Sequence, residues 1–251
     1  YTVDTAKAAG MTVLTPPQNL ISGKTYKGQA DQIWNWVEQN AGRADVMVLS
    51  TDTLIYGGLV DSRKHNLPLS TLENRLKRIE ALKANHKNTR IYGFGTVMRS
   101  PRASGGGTEP SYYADYGPTI FQIAALQDKL DAGTLTQAET QKLMSLQASV
   151  PVEYLQDWFS RRQKNMQVNK DLIDEARNGV FAYFALGHDD TSQLSQSALE
   201  GRYLNQYSKG IPRTQYGSFP GADQLGLLLM ARSRTDESAE KPTFSVIYPL
   251  G

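Results

Sequence analysis

Two adjacent carboxylates, Asp189 and Asp190, close the run Ala-Leu-Gly-His-Asp-Asp. Neighbouring side chains at a strand end point in opposite directions, so one carboxyl can face a cleft while the other braces it. Two carboxyls in different surroundings can hold different pKa values, as a general acid and its partner base require. The structural alternative is a turn whose Asp caps a helix starting near Leu194. Asp52 stands in a comparable place, after Val-Met-Val-Leu-Ser-Thr. It could bind a sugar hydroxyl, brace an arginine, ligate a metal or cap a helix. The pair Gly57-Gly58 that follows would let backbone approach a ligand closely. Tyr56, Tyr112, Tyr113 and Tyr116 offer rings for stacking on a sugar. Arg63 and Arg99 carry forked donors suited to a carboxylate or phosphate, or to pairing with the acids. Arg161, Asn165 and Asn169 share one helical face, either a polar row reaching a cleft or a solvated surface. A further acid, Asp223, sits in Pro-Gly-Ala-Asp-Gln ahead of a leucine-rich run.

These residues need a scaffold. Short runs rich in β-branched and aromatic residues read as strands buried on both faces, as in parallel sheets. They are Met11–Thr15, Val46–Asp52, Arg90–Met98, Val180–Leu186 and Phe244–Tyr248, with Thr214–Phe219 as a weaker candidate. Helical spacing lies between them. Ser70-Thr-Leu-Glu73 and Thr136-Gln-Ala-Glu139 both read as capping boxes. Leu72, Leu76, Ile79 and Leu82 follow the first of these. Pro151 precedes a long amphipathic run through Leu155, Phe159, Met166 and Ile173. Ile33, Trp34 and Val37 mark an earlier helix, and Leu225, Leu228 and Leu229 a late one. The alternation predicts an α/β fold with a mainly parallel sheet flanked by helices, or alternatively a barrel-like β/α arrangement. About eighty residues between Met98 and Val180 hold no convincing strand, too many for one crossover. We therefore expect an α/β core of residues 1–99 and 180–251 with a helical insertion or cap over 100–179. Ala103–Thr108 reads as a mobile loop. In parallel architectures ligands bind beyond the carboxyl ends of the strands, where most of the polar residues named above collect.

Composition narrows the classes. The 251 residues carry 27 Lys+Arg against 25 Asp+Glu, a net +2 without blocks. That balance argues against nucleic acid as a partner. No apolar run approaches the roughly 20 residues of a membrane-spanning helix. The absence of cysteine excludes disulfides, thiolate metal sites and a cysteine nucleophile. The three histidines, His65, His86 and His188, make no H-x-x-x-H or H-E-x-x-H motif. His188 with Asp52 and Asp189 or Asp190 is the one set left for a hard divalent ion. No P-loop, dinucleotide fingerprint or nucleophile elbow is present. The opening YTVDTAKAAG shows no leader pattern, and the apolar stretch running into the last residue leads us to expect a piece of a longer chain. The many Asn, Gln, Thr and Tyr without cysteine lean toward an exported protein.

The strings LSTDTLIYGGLVDSR, YGFGTVMRSP, RRQKNMQVN, ALGHDD and FPGADQLGLLLMAR, in this order, resemble a bacterial family known as domain of unknown function 4127. The resemblance spans residues 14–248. It implies that Asp52, Tyr56, Gly57, Gly58, Arg63, Arg99, Asn165, Asn169, Asp189, Asp190 and Asp223 occupy family-pattern positions. Members tend to carry Glu where this chain has Gln224, and Gln where it has His188, which counts against catalytic roles there.

The leading expectation is a hydrolase acting on a carbohydrate-like substrate. Asp189 and Asp190 would supply acid/base chemistry, with Asp52, Tyr56, Arg63, Arg99, Asn165, Asn169 and Asp223 binding the substrate. An adjacent acid pair suits substrate-assisted glycoside hydrolysis. The alternatives are a sugar- or polar-solute-binding protein without chemistry, and a hydrolase dependent on a divalent metal. The partner is a small molecule or glycan in each case, and no organic cofactor is expected.

Overall fold

The computed structural model describes residues 2–103, 106–238, 243 and 245. Four strands form one parallel sheet in chain order: β1 (Val46–Ser50), β2 (Arg90–Val97), β3 (Tyr183–His188) and β4 (Tyr216–Pro220). Val46 pairs with Arg90, Tyr92 with Tyr183, and Phe184 with Tyr216. Among the described residues the sheet is open, with β1 and β4 at its edges. α1 (Thr2–Ala8) and α2 (Ala30–Asn40) precede β1. α3 (Thr51–Tyr56), α4 (Leu59–Ser62) and α5 (Leu69–Asn85) join β1 to β2. α6 (Tyr113–Asp131), α7 (Gln137–Ser149) and α8 (Val152–Arg177) join β2 to β3. α9 (Gln196–Tyr207) joins β3 to β4, and α10 (Leu225–Glu237) follows.

The strand sequences are mainly apolar because both sheet faces are covered. Successive β3 residues divide between two cores by the period-two rule. Phe184 and Leu186 join Ile33, Trp34, Leu76, Ile79, Leu172 and Ile173 from α2, α5 and α8. Tyr183 and Ala185 meet Leu225 and Leu229 of α10 on the other face. A third cluster, built from Met98, Tyr113, Ile120, Ile123, Leu143 and Trp158, ties α6 and α7 to the amino-terminal part of α8. The carboxyl-terminal half of α8 instead packs on the main core through Val168, Leu172, Ile173 and Ala176.

Local rules hold unevenly. Thr136 and Glu139 form the expected capping box at α7. Ser70 and Glu73 do not: α5 begins at Leu69, and the carbonyl of Pro68 already accepts from the Thr71 and Leu72 N–H groups. Ser70 is therefore inside the helix, where it cannot take the extended conformation that a cap needs. Met11–Thr15 is not a strand but an irregular segment beside the β1 edge. The Val180–Leu186 run starts its ladder three residues late, at Tyr183, because Val180 still closes the end of α8 by donating to the carbonyl of Glu175. The expected strand Phe244–Tyr248 lies outside the described residues, as does part of the Ala103–Thr108 loop.

One buried ion pair locks the helices to the strand ends. Arg162 on α8 and Glu200 on α9 have side chains only 1% and 6% exposed. Arg162 donates through Nε and Nη2 to the two Glu200 oxygens, at 2.7 Å each. Nη2 and Nη1 also donate to the carbonyls of Met98 (2.6 Å) and Arg99 (2.9 Å). Removing one partner of such a pair leaves an uncompensated buried charge, costing about 3–5 kcal/mol. Glu200→Ala should lower stability by about that amount in urea unfolding. The double change Arg162→Met with Glu200→Leu should recover a large part of it.

Candidate active site at the strand ends

All strands of a parallel sheet point the same way, so the segments after β1, β2 and β3 meet at one rim. After β1, Ser50 caps α3, its Oγ accepting from the Thr53 N–H. This turns Asp52 inward in the first helical turn. Its Oδ2 accepts from Thr96 Oγ1 at 2.9 Å, and the residue is only 4% exposed. Burial raises the Asp52 carboxyl from its usual 3.8 to about 7, against the opposing pull of the Thr96 hydrogen bond and the Arg63 charge. The neighbouring Asp189 adds to the rise.

Arg63, just past α4, is buried and donates through Nη2 to Asp189 Oδ2 at 2.5 Å. Its Nε–H has no hydrogen-bond partner among the described residues. The Asp189 side chain is 21% exposed and so forms the solvent-facing member of this group. Asp190 diverges from it, as neighbouring strand-end residues must. Its carboxylate accepts from the Ser192 N–H (3.0 Å) and the Ser100 N–H (3.3 Å), joining the turn after β3 to the turn after β2. Arg99 pairs with Glu109, whose side chain is 1% exposed, and donates to Thr108 Oγ1.

The α8 row is buried rather than solvated. Arg161 Nε donates to the His65 carbonyl, while its terminal nitrogens grip Asp157. Asn165 Nδ2 donates to the Ser62 carbonyl, which fixes the amide so that Oδ1 faces His65 Nε2 at 2.8 Å. His65 therefore carries its proton on Nε2, and burial lowers its pKa to about 4, keeping the ring neutral. Tyr56 packs its ring on His65, with centroids 4.9 Å apart, and burial holds its phenol well above the usual range. Asn169 Nδ2 donates to the Thr96 carbonyl at 3.4 Å, beside the Thr96 hydroxyl that holds Asp52.

The rim thus brings Asp52, Arg63, Asp189, Asp190 and Arg99 together, supported from below by Asn165, Asn169 and Tyr56. Sequence reasoning missed Thr96, Glu109, His65 and Glu200. Thr96 was legible in principle, as the hydroxyl near the end of β2. Asp223 does not join the group. It is exposed and lines a cavity of about 750 Å³ along the β1 edge, between Met11, Trp36, Val48, Ser50 and Met230. None of the rim acids and arginines lines that cavity. His188 turns to Ser218 Oγ on β4, at 2.7 Å. No three His, Asp or Glu side chains are grouped for a metal ion among the described residues, so the set of His188, Asp52 and Asp189 or Asp190 does not assemble.

The other aromatic candidates pack against rings of α8. Tyr112 stacks on Tyr154, Tyr116 tilts against the same ring, and Tyr113 packs on Trp158. Gly57, at φ +109°, and Gly58 admit not a ligand but the loop before α2. A Cβ on Gly58 would stand 1.9 Å from Ser22 Oγ.

The family model described as Protein of unknown function (DUF4127) matches residues 1–251. No curated protein and no solved structure matches the chain.

The raised Asp52 pKa fixes a sign for stability. A folded-state value above the unfolded one favours folding fully below about pH 4, and that benefit is lost as pH rises toward 7. Asp52→Asn, which keeps an acceptor for Thr96, should therefore raise the melting temperature at pH 8 and leave it nearly unchanged at pH 4. The difference between the two proteins, followed by calorimetry across that range, checks it.

Proposed function

We propose that this chain, which belongs to the DUF4127 family, is a hydrolase that cleaves a carbohydrate-like substrate at the rim formed by the ends of β1, β2 and β3. The observation that carries this reading is the buried Asp52 carboxyl, set near neutrality beside the Arg63–Asp189 pair. Burying a carboxyl without a cation to pair with it opposes folding. The core would be served as well by an apolar residue, so the acid is best accounted for by chemistry.

In this reading the two roles fall on Asp52 and Asp189, not on the adjacent pair. Asp190 is committed to two backbone N–H groups and positions the turns. Asp52 donates its proton to the leaving oxygen as the glycosidic C–O bond breaks. The Asp189 carboxylate takes a proton from the water that adds to the anomeric carbon, so atoms and charge balance. Arg63 orients Asp189 through its Nη2 hydrogen bond. Asn169 and Thr96 hold the acid in place.

Screening aryl glycosides and polysaccharides should reveal a hydrolysed substrate. On that substrate Asp52→Asn and Asp189→Asn should each lower kcat/KM by about 100-fold or more, while Asp223→Asn stays near wild type. Wild-type activity should fall above pH 7 as the Asp52 proton is lost. Full activity in Asp52→Asn would show the acid assignment to be wrong.

A further inference from the structure

The segment Ser22-Gly-Lys-Thr-Tyr-Lys-Gly28, outside the rim group, is anchored at both ends. The Gly23 N–H donates to the Tyr26 carbonyl at 3.0 Å, and the Gln29 N–H donates to the Leu20 carbonyl at 2.9 Å. The Gly28 N–H donates to Asp61 Oδ2 at 3.1 Å. Gly28 sits so close to the α3–α4 turn that a Cβ on it would lie 1.9 Å from the Gly57 carbonyl oxygen. The loop is thus fastened to the stretch of chain that leads directly into Arg63.

On this base stands an aromatic ring that packing does not require. Tyr26 is 56% exposed. Its ring lies over Gly23, where a Cβ would come within 2.4 Å of Cε1, so the ring is backed from one side and open to solvent elsewhere. Lys24 and Lys27 flank it, both exposed. Lys64, the residue after Arg63, is also exposed and donates through Nζ to the Gly107 carbonyl at 2.9 Å. Lys24 Nζ lies beside the adjacent Gly106, 3.7 Å from the position of a Cβ. Lys27 and Lys64 both act on Asp61, a buried carboxylate already engaged by the Gly28 N–H. Three ammonium groups and one open ring are gathered next to the rim, and the nearby acid is turned inward.

We propose that the Ser22–Gly28 loop, with Lys64, is a subsite for a carboxylate-bearing sugar residue of the substrate. The apolar C–H face of a pyranose packs on the Tyr26 ring, and its carboxylate lies among the ammonium groups of Lys24, Lys27 and Lys64. The ring selects a sugar, and the lysines select an acidic one. This subsite rests on the carbohydrate reading above and extends it to uronate-containing glycans.

The test is calorimetric titration of the whole protein with matched oligosaccharides differing only at C6: galacturonate against galactose, glucuronate against glucose, mannuronate against mannose. One uronate series should bind, its neutral counterpart should bind at least tenfold more weakly, and salt should weaken the uronate complex. Tyr26→Ala and the double change Lys24→Ser with Lys27→Ser should each weaken uronate binding about tenfold or more, with the melting temperature unchanged because these side chains are exposed. Equal binding of a uronate and its neutral counterpart, or uronate binding untouched by the loop variants, overturns the subsite and leaves the carbohydrate reading standing. Binding of no oligosaccharide in any series overturns both.

Discussion

A guanidinium with no access to water must have its charge and its N–H groups answered by the protein, and Arg162 is answered from three directions. Glu200 comes from α9, the carbonyls of Met98 and Arg99 from the turn after β2, and the Trp158 ring from its own helix, with its centroid 5.1 Å from the guanidinium carbon. The contacts draw the turn carrying Arg99 against the two helices behind the sheet. Ser197 Oγ adds another donor to the Met98 carbonyl. With that turn fixed, Asp190 can reach the Ser100 N–H, and the turns after β2 and β3 become one rigid rim. The Arg162–Glu200 contacts tolerate little displacement, since both partners are buried and have no water to replace them.

The rest of the α8 row extends the same principle. Arg161 and Asn165 bind backbone carbonyls of the Ser62–His65 segment, and Asn169 binds that of Thr96. One helix thus positions the segment that carries Arg63, and the end of β2 with the turn after it, which carry Arg99 and the Thr96 hydroxyl bound to Asp52. Such an arrangement is rigid, with Asp52 as the group whose burial works against stability. Sites of chemistry often depart from what folding alone would choose, and the departure is informative because nothing in the packing demands it.

Much of this was legible along the chain. The parallel sheet followed from apolar runs at crossover spacing, and the Thr136 cap from a local pattern that no distant contact disturbs. The divergence of Asp189 and Asp190 followed from strand geometry. Local patterns failed where a neighbour pre-empted them: Pro68 starts α5 ahead of Ser70, and the end of α8 delays β3. Asp223 shows a different limit. It follows β4 of the same sheet, yet it lies exposed and lines the β1-edge cavity, in the turn that leads into α10, which packs on the other face of the sheet.

The sequence by itself determined the class of fold, the rim at which polar residues gather and the identity of most of them, because periodicity and strand polarity are properties of neighbouring residues. Tertiary structure alone decided how those residues divide their work. Whether a carboxylate binds a cation, ties a turn or keeps its proton depends on what lies within hydrogen-bond reach and on how much water is excluded. Asp52, Asp189 and Asp190 are chemically the same side chain. They differ in this protein because Thr96, Arg63 and the Ser100 N–H, distant in the chain, arrive beside them only when it folds.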